Sequence, residues 1–158
     1  MKKLLLLVLL FSAIVLSTPA AAQDSTGFKI IVNSANPLEE LPSEMVSKMF
    51  LRKEIWWPDS TKLFVAPIDQ PETRKVRKQF SNAIHQQSVS VIQSFWRVMV
   101  LSGKDVPPDV LPADSLIVHY VGQAAGGIGY VASDVPLSDD VKELKIIYDQ
   151  LVKNEEEK

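Results

Sequence analysis

The longest apolar run in the chain is at its start: Leu4 to Leu16 is interrupted only by Ser12, follows Lys2 and Lys3, and gives way to Ser17, Thr18, Pro19 and three alanines, Ala20 to Ala22. A basic start, an apolar stretch of roughly 7 to 15 residues and an A-x-A-like close define a secretory signal peptide. The pattern assigns residues 1–22 to one, cleaved after Ala22. A spanning helix needs about 20 apolar residues, more than this run supplies before it breaks. No cysteine follows it to carry a lipid. The expectation is a periplasmic or secreted protein with no stable membrane anchoring.

Beyond a polar leader at 23–27, short periods alternate. Phe28 to Asn33 is rich in β-branched residues and predicts a strand, broken by Asn36 and Pro37. A short helix is predicted from about Pro42 to Leu51, with Met45, Met49 and Phe50 on one face, and Leu63 to Ile68 predicts a second strand whose Pro67 suggests an exposed end or an edge. Asp69 and Glu72 are spaced as an approximate capping pair ahead of a helix that starts around Pro71 and runs to about Gln86. Ser88 can cap another helix, whose stripe of Val91, Ile92, Phe95, Trp96, Met99 and Val100 predicts core and which stops near Gly103. A proline-marked loop leads to a helix at Ala113 to Ala125, a strand at Ile128 to Ala132, and a last strand or short helix at Lys142 to Tyr148. Strands separated by helices imply an α/β layer with a mostly parallel sheet flanked by helices. A single domain is expected over residues 28–150, followed by an acidic tail at 151–158.

Composition narrows the function classes. Losing Lys2 and Lys3 with the signal peptide takes the formal net charge from −2 to −4, so nothing global favours nucleic acid or anionic membrane. Without cysteine there is no disulfide, thiol nucleophile or thiolate metal site. His85 and His119 do not form a ligand-spaced pair and read as helix-surface residues, and no serine sits in a G-x-S-x-G context. The expectation is no enzyme, no metal and no cofactor. Gly126-Gly127-Ile128-Gly129 precedes a strand, the reverse of the order a dinucleotide-binding turn needs, and reads as a helix stop with close backbone approach. Trp56 and Trp57, beside a turn, read as closing the edge of a core. Arg74, Lys75, Arg77 and Lys78 form the one basic cluster, which fits a solvated helix face and an anion site at a helix start equally well.

The order of motifs carries more than any one of them. The strand with N-x-x-N-P, Met49-Phe50-Leu51, Trp57 before a turn, the V-x-P-x-D-x-P-E segment and G-x-I-G-Tyr-Val over residues 28–148 resemble the phosphate-type periplasmic solute-binding proteins of ABC transporters, in particular the second of their two lobes. The resemblance implies a single lobe of a type 2 periplasmic-binding-protein-like fold. It implies a site at Gln70, Thr73, Arg74 and Arg77 for phosphate or another small anion taken up by an ABC-type system. Gln70 stands where that family has arginine, and Thr73, Arg74, Lys75 and Val76 replace its Gly-Ser-Gly-Thr, so the bidentate guanidinium and the small residues that admit phosphate to backbone N–H groups are absent. Weak anion binding is therefore expected. The alternative is a periplasmic protein-interaction module that lost the ligand site and binds a protein partner or itself as a homodimer.

Overall fold

The computed structural model describes residues 27–59 and 61–148; the expected signal peptide, residues 23–26 of the leader and the acidic tail lie outside the described residues. Six strands and four α-helices follow one another as β1 (Phe28–Asn33), β2 (Glu40–Pro42), α1 (Ser43–Phe50), β3 (Ala66–Asp69), α2 (Lys75–Phe80), α3 (Val89–Leu101), β4 (Asp109–Val110), α4 (Asp114–Gln123), β5 (Gly127–Ala132) and β6 (Val141–Ile147). The strands form one sheet in the order β2-β6-β1-β5-β3-β4. β1 is antiparallel to both β5 and β6, whereas β2 runs parallel to β6 and β3 runs parallel to β5 and β4. Five strands thus share one direction and β1 alone opposes them, which makes the sheet mostly parallel as expected.

The period-two alternation of β1 sends its side chains to two separate cores. Phe28, Ile30 and Val32 face α1 and α2, packing with Val46, Met49, Phe50, Val76, Phe80, Ile128 and Tyr130. Ile31 faces α4, packing with Ile68, Ile117, Val121 and Val131. The first core is aromatic at its centre: Phe80 stacks on Tyr130 with ring centroids 3.9 Å apart and lies 4.7 Å from Phe50. Trp57 is buried with its indole N–H donating to the Gly126 carbonyl at 3.1 Å, so it closes the core edge, while Trp56 is exposed and stacks on Phe64.

Four expectations need correction. β3 is not an edge strand: it lies between β5 and β4. Ala66 N–H bonds the β5 side, at Gly126, so Pro67 turns its missing donor toward the β4 side, where pairing begins only at Ile68. The helix expected from Pro71 begins at Lys75, because Asp69 accepts from Tyr130, Arg77 and the Gln70 amide instead of capping; the N-cap residue Arg74 makes no side-chain cap. It continues past Phe80 as a π-helical turn, Ser81–His85, and ends at Gln86 with a left-handed φ of 52°. The stripe on α3 is not core, since of this helix only Ile92 and Trp96 are buried. Its caps follow the sequence: Ser88 accepts from the Val91 amide, and Gly103, at φ 65°, stops it. Finally, His85 is half-buried and accepts or donates a 2.9 Å hydrogen bond with Ser47 Oγ through Nδ1, whereas His119 is exposed.

Candidate functional site

The polar centre of the molecule sits where β3 leaves the sheet. Asp69, the last residue of β3, points one carboxylate oxygen at three donors: the Tyr130 hydroxyl from β5, the Gln70 amide at 2.7 Å and Arg77 Nε at 3.0 Å. The chain turns over Pro71 to Arg74, closed by the Arg74 amide donating to the Pro71 carbonyl, and this reversal brings the first turn of α2 back over Asp69. Arg77 is therefore delivered eight positions after its partner, across a strand, a turn and a helix.

A second ion pair continues the network. Gln70 Nε2 donates to the Tyr130 carbonyl at 2.7 Å and to Asp114 at 3.0 Å, and Asp114 also accepts from Arg74 Nη2 at 2.8 Å. Arg74 Nη1 donates in addition to the Pro112 carbonyl at 3.0 Å. Both arginines of the basic cluster thus have a carboxylate partner, one deeply buried and one half-exposed, while Lys75 and Lys78 are solvated. Two buried polar atoms of the network stay without a partner: Gln70 Oε1, an acceptor, and Arg77 Nη1, a donor.

Burial sets the protonation of this centre. It pushes the Asp69 carboxyl above its ordinary value against the opposing pull of Arg77, Tyr130 and the Gln70 amide. Burial, reinforced by the Asp69 charge, raises the Tyr130 hydroxyl as well, which keeps it a neutral donor. On the far side of Phe80, burial and then the Arg77 and Lys53 charges lower His85 to about 3, so its ring is uncharged.

Beside the network opens a cavity of about 980 Å³. Asp69, Gln70, Thr73 and Arg77 form its polar side; Val89, Ile92, Trp96 and Val100 of α3 face them, with Pro107, Pro108 and Val110 along the third wall. Of the residues singled out in the sequence, Gln70, Thr73 and Arg77 line this cavity. Arg74 lies off it, held by Asp114 and the Pro112 carbonyl. Sequence reasoning missed Asp69 as an ion-pair partner, Tyr130 as its hydroxyl donor and Trp96 as a cavity wall. A tyrosine in an otherwise aliphatic strand was the available signal, because a buried hydroxyl needs a partner. Among the described residues no group of three or more His, Asp or Glu is placed to hold a metal ion, and no helix is long and apolar enough to cross a membrane.

No protein-family model and no curated protein matches the sequence. Solved structures do. An ABC-type phosphate transport receptor from Vibrio cholerae superposes with a TM-score of 0.58 at 16% identity, covering 76% of this chain and 46% of that one. A putative phosphate ABC transporter substrate-binding protein with bound phosphate from Clostridium perfringens gives 0.57 at 14% identity, over 76% and 44%. A possible phosphate binding protein from Planctomyces limnophilus gives 0.58 at 14%, over 78% and 42%. The chain has the periplasmic-binding-protein fold, and it spans a little under half the length of these structures.

Proposed function

We propose that this chain is an exported solute-binding domain, of the kind that serves ABC-type uptake, and that it takes its solute in the cavity between β3 and α3. The observation that carries this reading is the cavity itself, at the carboxyl end of a strand in a mostly parallel sheet, where ligands of α/β folds gather, with Gln70, Thr73 and Arg77 among its lining residues. Gln70, Thr73 and Arg77 are the contacts assigned to the solute. No catalytic step is assigned.

Phosphate is a poor solute for such a site. Asp69 neutralises Arg77, Asp114 neutralises Arg74, and a phosphate entering beside Asp69 meets a like charge. Each charge-assisted hydrogen bond forgone is worth about 1.5 to 3 kcal/mol, so losing two weakens phosphate binding by at least about a hundredfold relative to a site that keeps them. Calorimetric titration of the purified protein with phosphate, sulfate and a dicarboxylate tests this. Submicromolar phosphate binding would overturn the weak-anion account.

One observation favours a protein-interaction module as the second reading: Val98 and Leu101 of α3 are 65% and 82% exposed, an apolar face without cover among the described residues. A concentration-independent monomer in light scattering, with no partner recovered by crosslinking, counts against it.

A further inference from the structure

We infer that the cavity beside α3 holds a short, uncharged peptide segment in extended conformation. The inference rests on reading this cavity as a ligand site, and it replaces a free anion by a ligand of different chemistry. The polar side carries no net charge to offer, because Arg77 is met by Asp69 at 3.0 Å and Gln70 is neutral. Its two unpaired atoms, Arg77 Nη1 and Gln70 Oε1, are sealed from solvent in residues only 4% and 2% exposed, so they add no charge at the cavity surface. A ligand of uncharged amide units, as a peptide backbone is, matches a wall that offers no net charge. The charged residues at the margin, Glu72 and Arg97, are one of each sign and select neither.

Shape points the same way. Val89, Ile92, Trp96 and Val100 follow one another at three- and four-residue spacing and all line the cavity, so one whole side of a 13-residue helix forms its wall. At 1.5 Å per residue that wall is about 20 Å long, and an extended chain rising about 3.3 Å per residue matches it with about six residues. Alternate side chains of such a segment face the apolar wall while the others face out.

The third wall supplies the reason for a peptide over another elongated amide. β4 is the last strand of the sheet, with β3 on one side and no strand on the other among the described residues, and its Val110 lines the cavity. An edge strand leaves N–H and C=O groups free, and an extended peptide docks on such an edge through main-chain hydrogen bonds.

Titration calorimetry of the purified protein tests the proposal with four probes: a blocked hexapeptide of alternating valine and serine, the same composition with the valines in one block, decanamide, and inorganic phosphate. The alternating peptide is expected to bind at least about tenfold more tightly than each of the others. Val100→Asp, on the wall, is expected to weaken it by about tenfold or more, while Val91→Ser, exposed and off the cavity, leaves it unchanged with the same thermal midpoint. Equal binding of the block peptide or of decanamide overturns the proposal, as does no heat with any peptide. Preferential phosphate binding overturns it too, yet leaves the solute-binding reading standing, since the two make opposite demands on charge.

Discussion

Arg77 and Asp69 form a nearly solvent-free ion pair, with Nε 3.0 Å from Oδ1 and the two residues 4% and 9% exposed. The pair fixes what the site can attract, because the cation nearest the cavity is already compensated. Removing one partner of a buried pair leaves an uncompensated charge and costs about 3 to 5 kcal/mol.

Asp69→Asn therefore isolates the charge of Arg77. The variant is expected to lose stability by about 3 kcal/mol in urea unfolding, somewhat less than a full deletion because the amide oxygen still accepts. Sulfate should then raise its thermal midpoint by more than it raises that of the wild type, since an anion that binds only the folded state stabilises it. Equal sulfate shifts in the two proteins would mean that Asp69 does not hold Arg77 back from anions.

His85 makes stability depend on pH. Its folded value of about 3 lies below the ordinary 6.5, so between these values the unfolded chain takes up a proton that the folded chain does not. Stability contributed by the neutral ring is present above 6.5 and is lost as pH falls toward 3, by at most roughly 4 to 5 kcal/mol at about 1.4 kcal/mol per unit. Asp69 acts in the opposite sense: its raised carboxyl favours the fold as it protonates, which offsets part of the loss at the acid end. Urea midpoints at pH 7 and pH 5 should fall for the wild type and fall less for His85→Gln. Parallel slopes would remove His85 as the cause.

The aromatic centre carries much of the core. Phe80 is fully buried between Tyr130 and Phe50, with Phe28 edge-on at 5.8 Å. Phe80→Ala is expected to cost about 3 to 5 kcal/mol and Phe80→Leu clearly less, because leucine refills most of the volume. Chemical denaturation of both variants checks the order; a loss from alanine below about 1 kcal/mol would show that the stack is not a principal contributor.

Local periodicity made the longer elements legible. Phe28 to Asn33 reads as a strand and Val89 to Leu101 as a capped helix from their own residues. β2 and β4, three and two residues long, exist only because β6 and β3 present edges for them to join, and no local pattern marks them. The α3 stripe read as core because periodicity reports which face is apolar and not what covers it. The basic cluster likewise looked uniform, yet the turn at Pro71 sends Arg77 to Asp69 and Arg74 to Asp114 while Lys75 and Lys78 stay in water. Gln70, Thr73 and Arg77 meet at one cavity through the strand–turn–helix path that the ordered motifs implied, whereas the carboxylates that neutralise the arginines are set by contacts between elements that spacing alone does not encode.

The two arginines give the last prediction, because they differ in burial and in position. Arg74 pairs with Asp114 at side-chain exposures of 32% and 16%, lies off the cavity, and shares Asp114 with Gln70. Half-exposed pairs are worth about 0 to 1 kcal/mol, so Arg74→Ala should cost no more than that, and Asp114 keeps the Gln70 amide as a donor. Arg77→Gln, in contrast, strands Asp69 in the interior and should cost about 3 kcal/mol or more. Measured under conditions where both variants are folded by circular dichroism, weak phosphate binding should survive Arg74→Ala within about twofold and fall below detection in Arg77→Gln. Loss of binding in Arg74→Ala with retention in Arg77→Gln would move the anion contact out of the cavity to the start of α2, and with it the assignment of Gln70 and Arg77 as solute contacts.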